Sequence, residues 1–285
     1  MIKIITYFIQ ALLVYCFFLI SKLIGLQLSR KVSSLIFQIL GPYLKSKKII
    51  DKNLFNFSNN ITSLQKKKII KNMWSNYGMT FVEYIFLNRF RKDNLHISIK
   101  GEEVLEKVLK DNKPVIFVSG HFANFELMSM EISKKKINLA TIYRPLNNFF
   151  LNPFMLFLRK KYICKNQIKK GRSGLKNAVY FIKKNHSIAL MIDQRLSEGE
   201  PIKFFNKKAL TTTLPAQLAI KYKMDIIPIF IERKNDNSFE MKIKLPINTS
   251  KLTSKFKISE KLNQVLEDMI IKKPDQWIWT HNRWK

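Results

Sequence analysis

The sequence predicts an α/β protein: a mostly parallel, mixed sheet flanked by helices on both faces, preceded by an N-terminal membrane-anchoring helix. Three observations predict it. Short apolar runs such as "PVIFVSG" (114–120) and "DIIPIFIE" (225–232) have the composition of strands buried on both faces. Segments of helical apolar spacing alternate with them, the order that parallel strands joined by crossover helices require. Residues 4–21, "IITYFIQALLVYCFFLIS", carry no charge at all.

That first stretch, as a helix rising ~1.5 Å per residue, nearly crosses a hydrocarbon core of ~30 Å. "LIGLQL" (23–28) can lengthen it beyond Lys22. Only Lys3 precedes it, whereas Lys22, Arg30, Lys31, Lys45, Lys47 and Lys48 follow, an asymmetry that places the rest of the chain on the cytoplasmic side. No small-x-small site favours a cleaved signal peptide, and Cys16 follows Tyr15 rather than a small residue, against lipid attachment. Full span and monotopic insertion both stay open.

Residues 28–90 read as helices, with apolar positions recurring through "KKKIIKNMWSNYGMTFVEYIFL" from Lys66. No Pro/Gly-rich linker interrupts the chain. The expected organisation is an anchor over 1–28 and one domain over 29–285, helical to about 92 and α/β from about 93. "LHISIKG" alternates and ends on Gly101, a strand signature. Helix "EEVLEKVLKDN", strand "PVIFVSG", helix "NFELMSMEISKKK" and strand "INLATIY" come next. Helix "GLKNAVYFIKKN", strand "SIALMID", helix "TLPAQLAIKYK" and strand "DIIPIFIE" continue the alternation. "FEMKIKL" reads as an edge-type strand, and "SEKLNQVLEDMIIKK" closes with a helix.

Hydrophobic residues make up 46% of the chain, which excludes disorder. The two cysteines have neither metal-ligand nor disulfide-framework spacing, and no metal is expected. The net charge of +31 admits two readings: lysine as ordinary solvated surface, or attraction to nucleic acid, anionic lipid headgroups or acidic proteins. Only nine of the 51 basic residues are arginine, so the few guanidinium groups mark places that need a planar, bidentate donor. A membrane-tethered binder of nucleic acid or anionic polymer would use the charge. The chain carries no helix-turn-helix, zinc-finger or ribonucleoprotein motif, and no nucleic-acid partner is expected.

"SGHFANFE" (119–126) holds one of four histidines. His121 falls just past the carboxyl end of a buried strand, where ligands of open α/β sheets collect. Asn124 can cap the helix that follows, which puts Glu126 in its first turn, where an ionised carboxylate is favoured. Glu126 would then hold one ring nitrogen of His121 and leave the other free as a general base. By itself a histidine and a glutamate at this spacing mean little.

Further blocks follow in order. "GHFANFE" resembles the His-x4-Asp/Glu element of the glycerolipid and lipid A acyltransferases. "YRPLNN" (143–148), "GRSGLKNAVYFIKKNHSIALMIDQR" (171–195), "PIKFFNKKALTTTLPAQLA" (201–219) and "QWIWTHNRWK" (276–285) are similar to later blocks of the lipid A late (lauroyl and myristoyl) acyltransferases. "KNLFNF" and the single N-terminal apolar segment extend the likeness upstream, so it covers nearly the whole chain. Two departures stand out: Asn206 replaces the glycine after Phe204-Phe205, and Ala123 replaces a glycine after the histidine's neighbour. The Pro-Glu-Gly-Thr-Arg block of the glycerol-phosphate branch is absent.

The resemblance implies an acyltransferase of the inner membrane, catalytic domain on the cytoplasmic side. It would move a fatty acyl chain from an acyl carrier protein thioester to a hydroxyl of a glycolipid, a lipid A precursor first among the acceptors. A lysophospholipid, an amino-lipid or a mannosylated lipid is the alternative acceptor. A thioester is already activated, so one base of the His121 type suffices, without a covalent acyl-enzyme or a cofactor. Cys164 is accordingly read as a small hydrophobe. Arg144 and Arg172 are the candidates for phosphate or oxyanion contacts. Asn124 joins the substrate-binding candidates; Asp193 and Gln194 either line the cleft or cap the next loop. His96, His186 and His281 are read as structural or solvated. The acidic carrier protein and anionic lipid would give the lysine excess a use.

Overall fold

The computed structural model of the chain describes residues 2–249 and 254–285, and of Arg172 the backbone alone. Among the described residues nine strands form two sheets: β1 (Ile97–Lys100), β2 (Ile116–Ser119), β3 (Leu139–Tyr143), β4 (Asn166–Lys169), β5 (Ser187–Met191), β6 (Glu200–Phe204), β7 (Lys207–Thr211), β8 (Ile226–Arg233) and β9 (Phe239–Ile243). Seven of them make one sheet in the order β1-β9-β8-β2-β5-β3-β4. Every pairing in it is parallel except β8 with β9. The mostly parallel mixed sheet read from the sequence is therefore the architecture found. Only the place of β9 differs: it lies between β8 and β1, and β1 takes the edge. Its burial explains this, because four of its five residues are buried, more than an edge strand requires.

The helices are α1 (Ile2–Ile24), α2 (Leu26–Leu44), α3 (Lys47–Phe57), α4 (Ser63–Glu83), α5 (Leu87–Lys92), α6 (Glu102–Asp111), α7 (Glu126–Lys134), α8 (Asn152–Leu158), α9 (Arg172–Lys183), α10 (Leu214–Tyr222) and α11 (Lys255–Lys272). Two apolar cores lie on opposite faces of the sheet. Ile116 and Val118 of β2 enter the first with α3, α4, α9, α10 and α11; Phe117 enters the second with α5, α6, α7 and α8. The alternation is the two-residue period of a strand, with both faces apolar because both are covered.

The periodicity did not announce α8, the polar edge strand β4, or the hairpin β6-β7 packed on α11. The hairpin turns through Phe205 (φ 47°) and Asn206 (φ 59°), the pair of positive angles that a two-residue type I′ turn demands. Asparagine tolerates this conformation better than any other side-chain-bearing residue, so the turn closes without the glycine. Phe205 is held there by its N–H donating to Glu267 (2.8 Å).

Helix α4 is the strut between the N-terminal helices and the sheet. A capping box at Thr62 and Gln65 starts it. Gly78 lets α2 approach so closely that a Cβ there would lie 2.3 Å from the Ser33 carbonyl oxygen. Gly78→Ala is expected to force α2 and α4 apart and cost about 1–3 kcal/mol, read as a lowered thermal midpoint in detergent. An unchanged midpoint would mean that the two helices are not packed this closely.

Candidate active site

Strand β2 ends at Ser119, and the chain turns at Gly120 to present His121. A Cβ on Gly120 would meet the Phe122 ring at 2.7 Å and the Asp193 Cβ at 3.3 Å, so the missing side chain lets the ends of β2 and β5 converge. The register shows why Asp193 is there. Ser119 pairs with Met191 in parallel, and two residues further His121 stands opposite Asp193.

Asp193 is fully buried and receives three donors. The His121 backbone N–H reaches Oδ2 at 2.9 Å, the His121 ring Nδ1 reaches Oδ1 at 2.8 Å, and the Trp277 indole N–H reaches Oδ2 at 2.8 Å. Burial by itself would raise the carboxyl pKa, but the adjacent His121 and these bonds outweigh it and hold it at about 2. An ionised Asp193 requires Nδ1 to carry the ring proton, which leaves Nε2 with its lone pair. The His121 side chain is 21% exposed, and within the described residues Nε2 has no hydrogen-bond partner. The Phe125 ring packs edge-on against the imidazole, 4.6 Å between centroids.

Glu126 lies in the first turn of α7, as expected, but it does not hold His121. Its Oε1 accepts from Arg159 Nε (2.8 Å) and Nη2 (2.6 Å) and from the Tyr84 hydroxyl. The physical reason is the turn between them, where Ala123 adopts φ 44° and Glu126 departs on the helix. Burial opposes the Arg159 charge, yet Glu126 and Tyr84 hold the guanidinium firmly cationic. It sits against the Tyr84 and Tyr143 rings, 5.8 and 5.7 Å from their centroids. The His-x4-Glu element thus serves two different clusters.

Asn124 is likewise not a cap. Its side-chain amide is buried and donates to Glu83 Oε2 at 2.9 Å. Glu83, itself fully buried, pairs with Arg30 Nε (2.7 Å) and with both terminal nitrogens of Arg233. Burial disfavours the Glu83 charge, but the two guanidinium groups win and keep its pKa below the usual range. The same frame grips the loop backbone. Thr80 donates to the Ala123 carbonyl (3.0 Å), the Ala123 N–H donates to the Gln276 carbonyl (3.2 Å), and the Gln276 amide pairs with the Arg233 backbone in both directions.

Of the other expected residues, Arg144 is exposed at the end of β3 and makes no hydrogen bond or ion pair within the described residues. Crowding by surrounding atoms and the Arg144 charge lower the pKa of Lys170, so the two cations are neighbours. The Arg172 side chain lies outside the described residues. Gln194 follows Asp193, half-buried, with its amide unbonded within the described residues. His281 accepts the Arg195 N–H at Nε2 (2.8 Å), and burial lowers its pKa to about 4, so it is a neutral prop for the loop after Asp193. Cys164 is buried and its thiol is pushed up by that burial, as a small hydrophobe would be. Trp277 and Arg159 were not singled out by the sequence reading. The Trp-rich terminus was the available signal for the first; nothing in "FLRKKYI" marks the second.

Comparison with known proteins adds a whole-chain result. The family model described as bacterial lipid A biosynthesis acyltransferase matches residues 2–285. The chain belongs to this family. It is 25% identical over 255 residues to the lipid A biosynthesis palmitoleoyltransferase of Escherichia coli K12, covering 86% of this chain and 80% of that one. The lipid A biosynthesis acyltransferase of Shigella flexneri matches with the same identity and coverage. The E. coli K12 lauroyltransferase is 24% identical over 245 residues, covering 84% and 78%. The protein is thus an acyltransferase, and the family read from the blocks of the sequence is the one found.

Two stability predictions follow from this geometry. Asp193 has a folded pKa of about 2, below its ordinary 3.8, so the ionised form is the one the fold favours. The corresponding stability, about 2 kcal/mol, is present above the unfolded value and is lost as pH falls through about 2. Wild type minus Asp193→Asn unfolding free energy should therefore shrink as pH falls from 4 to 2; a difference unchanged over that range would contradict the assignment. Ala123→Gly should relieve a left-handed backbone and stabilise the fold by about 1 kcal/mol at most, once glycine's greater unfolded entropy is subtracted, read as a raised thermal midpoint.

Proposed function

We propose that this acyltransferase moves a fatty acyl chain from an acyl carrier protein thioester to a hydroxyl of a lipid A precursor, with His121 as general base. The observation that carries the reading is the His121–Asp193 pair, in which Nδ1 is fixed and Nε2 is open. The names of the relatives support a lipid A acceptor.

In the proposed reaction Nε2 takes the hydroxyl proton as the oxygen attacks the thioester carbonyl. The C–O bond forms, the carbonyl oxygen becomes an oxyanion, and the C–S bond then breaks. His121 returns its proton to the leaving thiolate. Asp193 holds the ring in the required tautomer and stabilises the imidazolium that forms in between. No acyl-enzyme is needed, consistent with a cysteine buried away from reaction. Glu126 acts through Arg159, fixing a guanidinium beside Tyr143 on the side where Arg144 stands free; Arg144 and Arg172 then contact acceptor phosphate, with Gln194 on the cleft wall. The exposed lysines suit an acidic carrier, and the charge asymmetry around α1 favours the cytoplasmic face of the inner membrane.

His121→Ala should lower the rate of acyl transfer, compared below the variant's own thermal midpoint, by about 10²–10⁴-fold, the usual worth of a general base; membrane association should hold, while the midpoint falls because the buried Asp193 loses its ring donor. The measurement is mass spectrometry of lipids from a strain lacking its own late acyltransferases, with wild type or variant expressed. An added acyl mass on lipid A with the wild type and its loss with the variant is the expected result. Equal acylation by the variant would remove His121 as the base, and no added mass with the wild type would exclude lipid A as acceptor.

A further inference from the structure

Helix α2 is built with its polarity reversed. Its inward face carries Ser29, Arg30, Ser33 and Gly41, all buried. Arg30 pairs with Glu83, Ser33 donates to the Gly78 carbonyl (2.7 Å), and Gly41 abuts the Trp74 ring. Its outward face carries Leu28, Val32, Leu35 and Ile39, which are 38–59% exposed and recur every three or four residues as one helical stripe. A helix in water places such a stripe inward. Small and polar residues between helices with leucine and isoleucine outside is the arrangement found where the surroundings are hydrocarbon.

Helix α1 does not stand away from the domain. Tyr7, Ala11, Val14, Phe18 and Ser21 form a continuous stripe that is wholly or partly buried, so the helix is docked along its length. The Asn148 amide donates to the Tyr7 carbonyl (2.8 Å), the Tyr15 hydroxyl to the Phe150 carbonyl (2.8 Å), and Lys22 to the Ile85 carbonyl (3.2 Å). From Tyr7 to Lys22 is about 22 Å along a helix, against a hydrocarbon core of ~30 Å. If α1 stood upright across a bilayer, the loop around Asn148, with exposed Asn147 and the backbone groups of a loop, would be carried deep into hydrocarbon. Unbonded polar backbone is costly there.

We propose that α1 and α2 together form a monotopic membrane-embedding face, lying side by side in one leaflet, with the segment around Phe149 and Phe157 at its margin. The occupant of this face is lipid: the exposed Phe149 ring packs on Tyr7 of α1, and exposed Phe157 stands on α8, whose Phe154 packs on Tyr15 and Phe18 of α1. Exposed Lys31, Lys45, Lys47 and Lys48, on and just after α2, supply the cations that meet anionic headgroups. The face also borders the candidate site. Ile85 bonds α1 while the preceding Tyr84 bonds Glu126, and the loop from Arg144 to Asn148 joins β3 to α1. A lipid acceptor would then reach His121 laterally, without leaving the leaflet. The inference rests on the outward apolar faces and not on the acyl-transfer reading.

The test uses the full chain with Cys16→Ser and Cys164→Ala, reconstituted in vesicles of phosphatidylethanolamine and phosphatidylglycerol. Single nitroxide labels are placed through Leu35→Cys, Ile39→Cys, Phe149→Cys and Lys48→Cys, all exposed positions where folding is unaffected. Collision with oxygen should dominate at the first three and collision with a water-soluble nickel complex at the fourth. Nickel-dominated relaxation at Leu35 and Ile39 would overturn the proposal. In a second arm, Lys3→Cys is treated with an impermeant maleimide in cells whose outer membrane alone is permeabilised. Protection until the inner membrane is opened is the expected result; labelling beforehand would mean that α1 crosses the bilayer, and would overturn the monotopic placement.

Discussion

The carboxylate of Asp193 is the constraint on which the site depends. It is a buried charge with three donors converging on it, one from the indole of Trp277 and two from His121 itself. Removing a charge from water costs several kcal/mol unless such bonds replace hydration. Here they come from the turn after β2 and from the C-terminal tail, onto a carboxylate that follows β5, so the three segments must be in place together. The same bonds fix which imidazole nitrogen holds the proton. Structural necessity and chemical competence are met by one set of hydrogen bonds.

A second buried charge, Glu83, does comparable work one layer below. Its two arginines come from α2 and β8, its asparagine from the His121 loop. It therefore couples the N-terminal helices to the sheet and to the loop that carries His121. The left-handed Ala123 is held inside this frame by Thr80 and Gln276, which explains how a strained backbone persists where a side chain disfavours it. Glu126 and Arg159 form a third pair, joined by the Tyr84 hydroxyl. The three ion clusters flank a single turn of chain, each gripping a different part of it.

Much of this was legible in the chain. The apolar runs of β2, β5 and β8 and the amphipathic helices between them are read correctly because burial on both faces leaves an unbroken hydrophobic signature. Strand β4 and the hairpin β6-β7 escape, since a polar edge strand and a half-exposed hairpin need satisfy no such pattern. The position of His121 follows from its place after a buried run, and the acid in the first turn of α7 follows from the same reading. The partner of the histidine does not follow. Five positions of sequence separate His121 from Glu126, and 72 separate it from Asp193, but sheet register makes the distant residue the neighbour.

The reversed polarity of α2 shows the same division from the other side. Its spacing announces a helix with one apolar stripe, and nothing in spacing tells which way the stripe faces. Sequence alone determined the types of most elements, the parallel sheet, the long apolar N-terminal helix and the place of His121 at the end of a buried strand, because these depend on local composition and period. Tertiary structure decided which carboxylate holds His121, which arginine the other carboxylate holds, and which face of α2 meets protein. Those are pairings between residues far apart in the chain, fixed by strand order and by the cost of burying a charge without its partner.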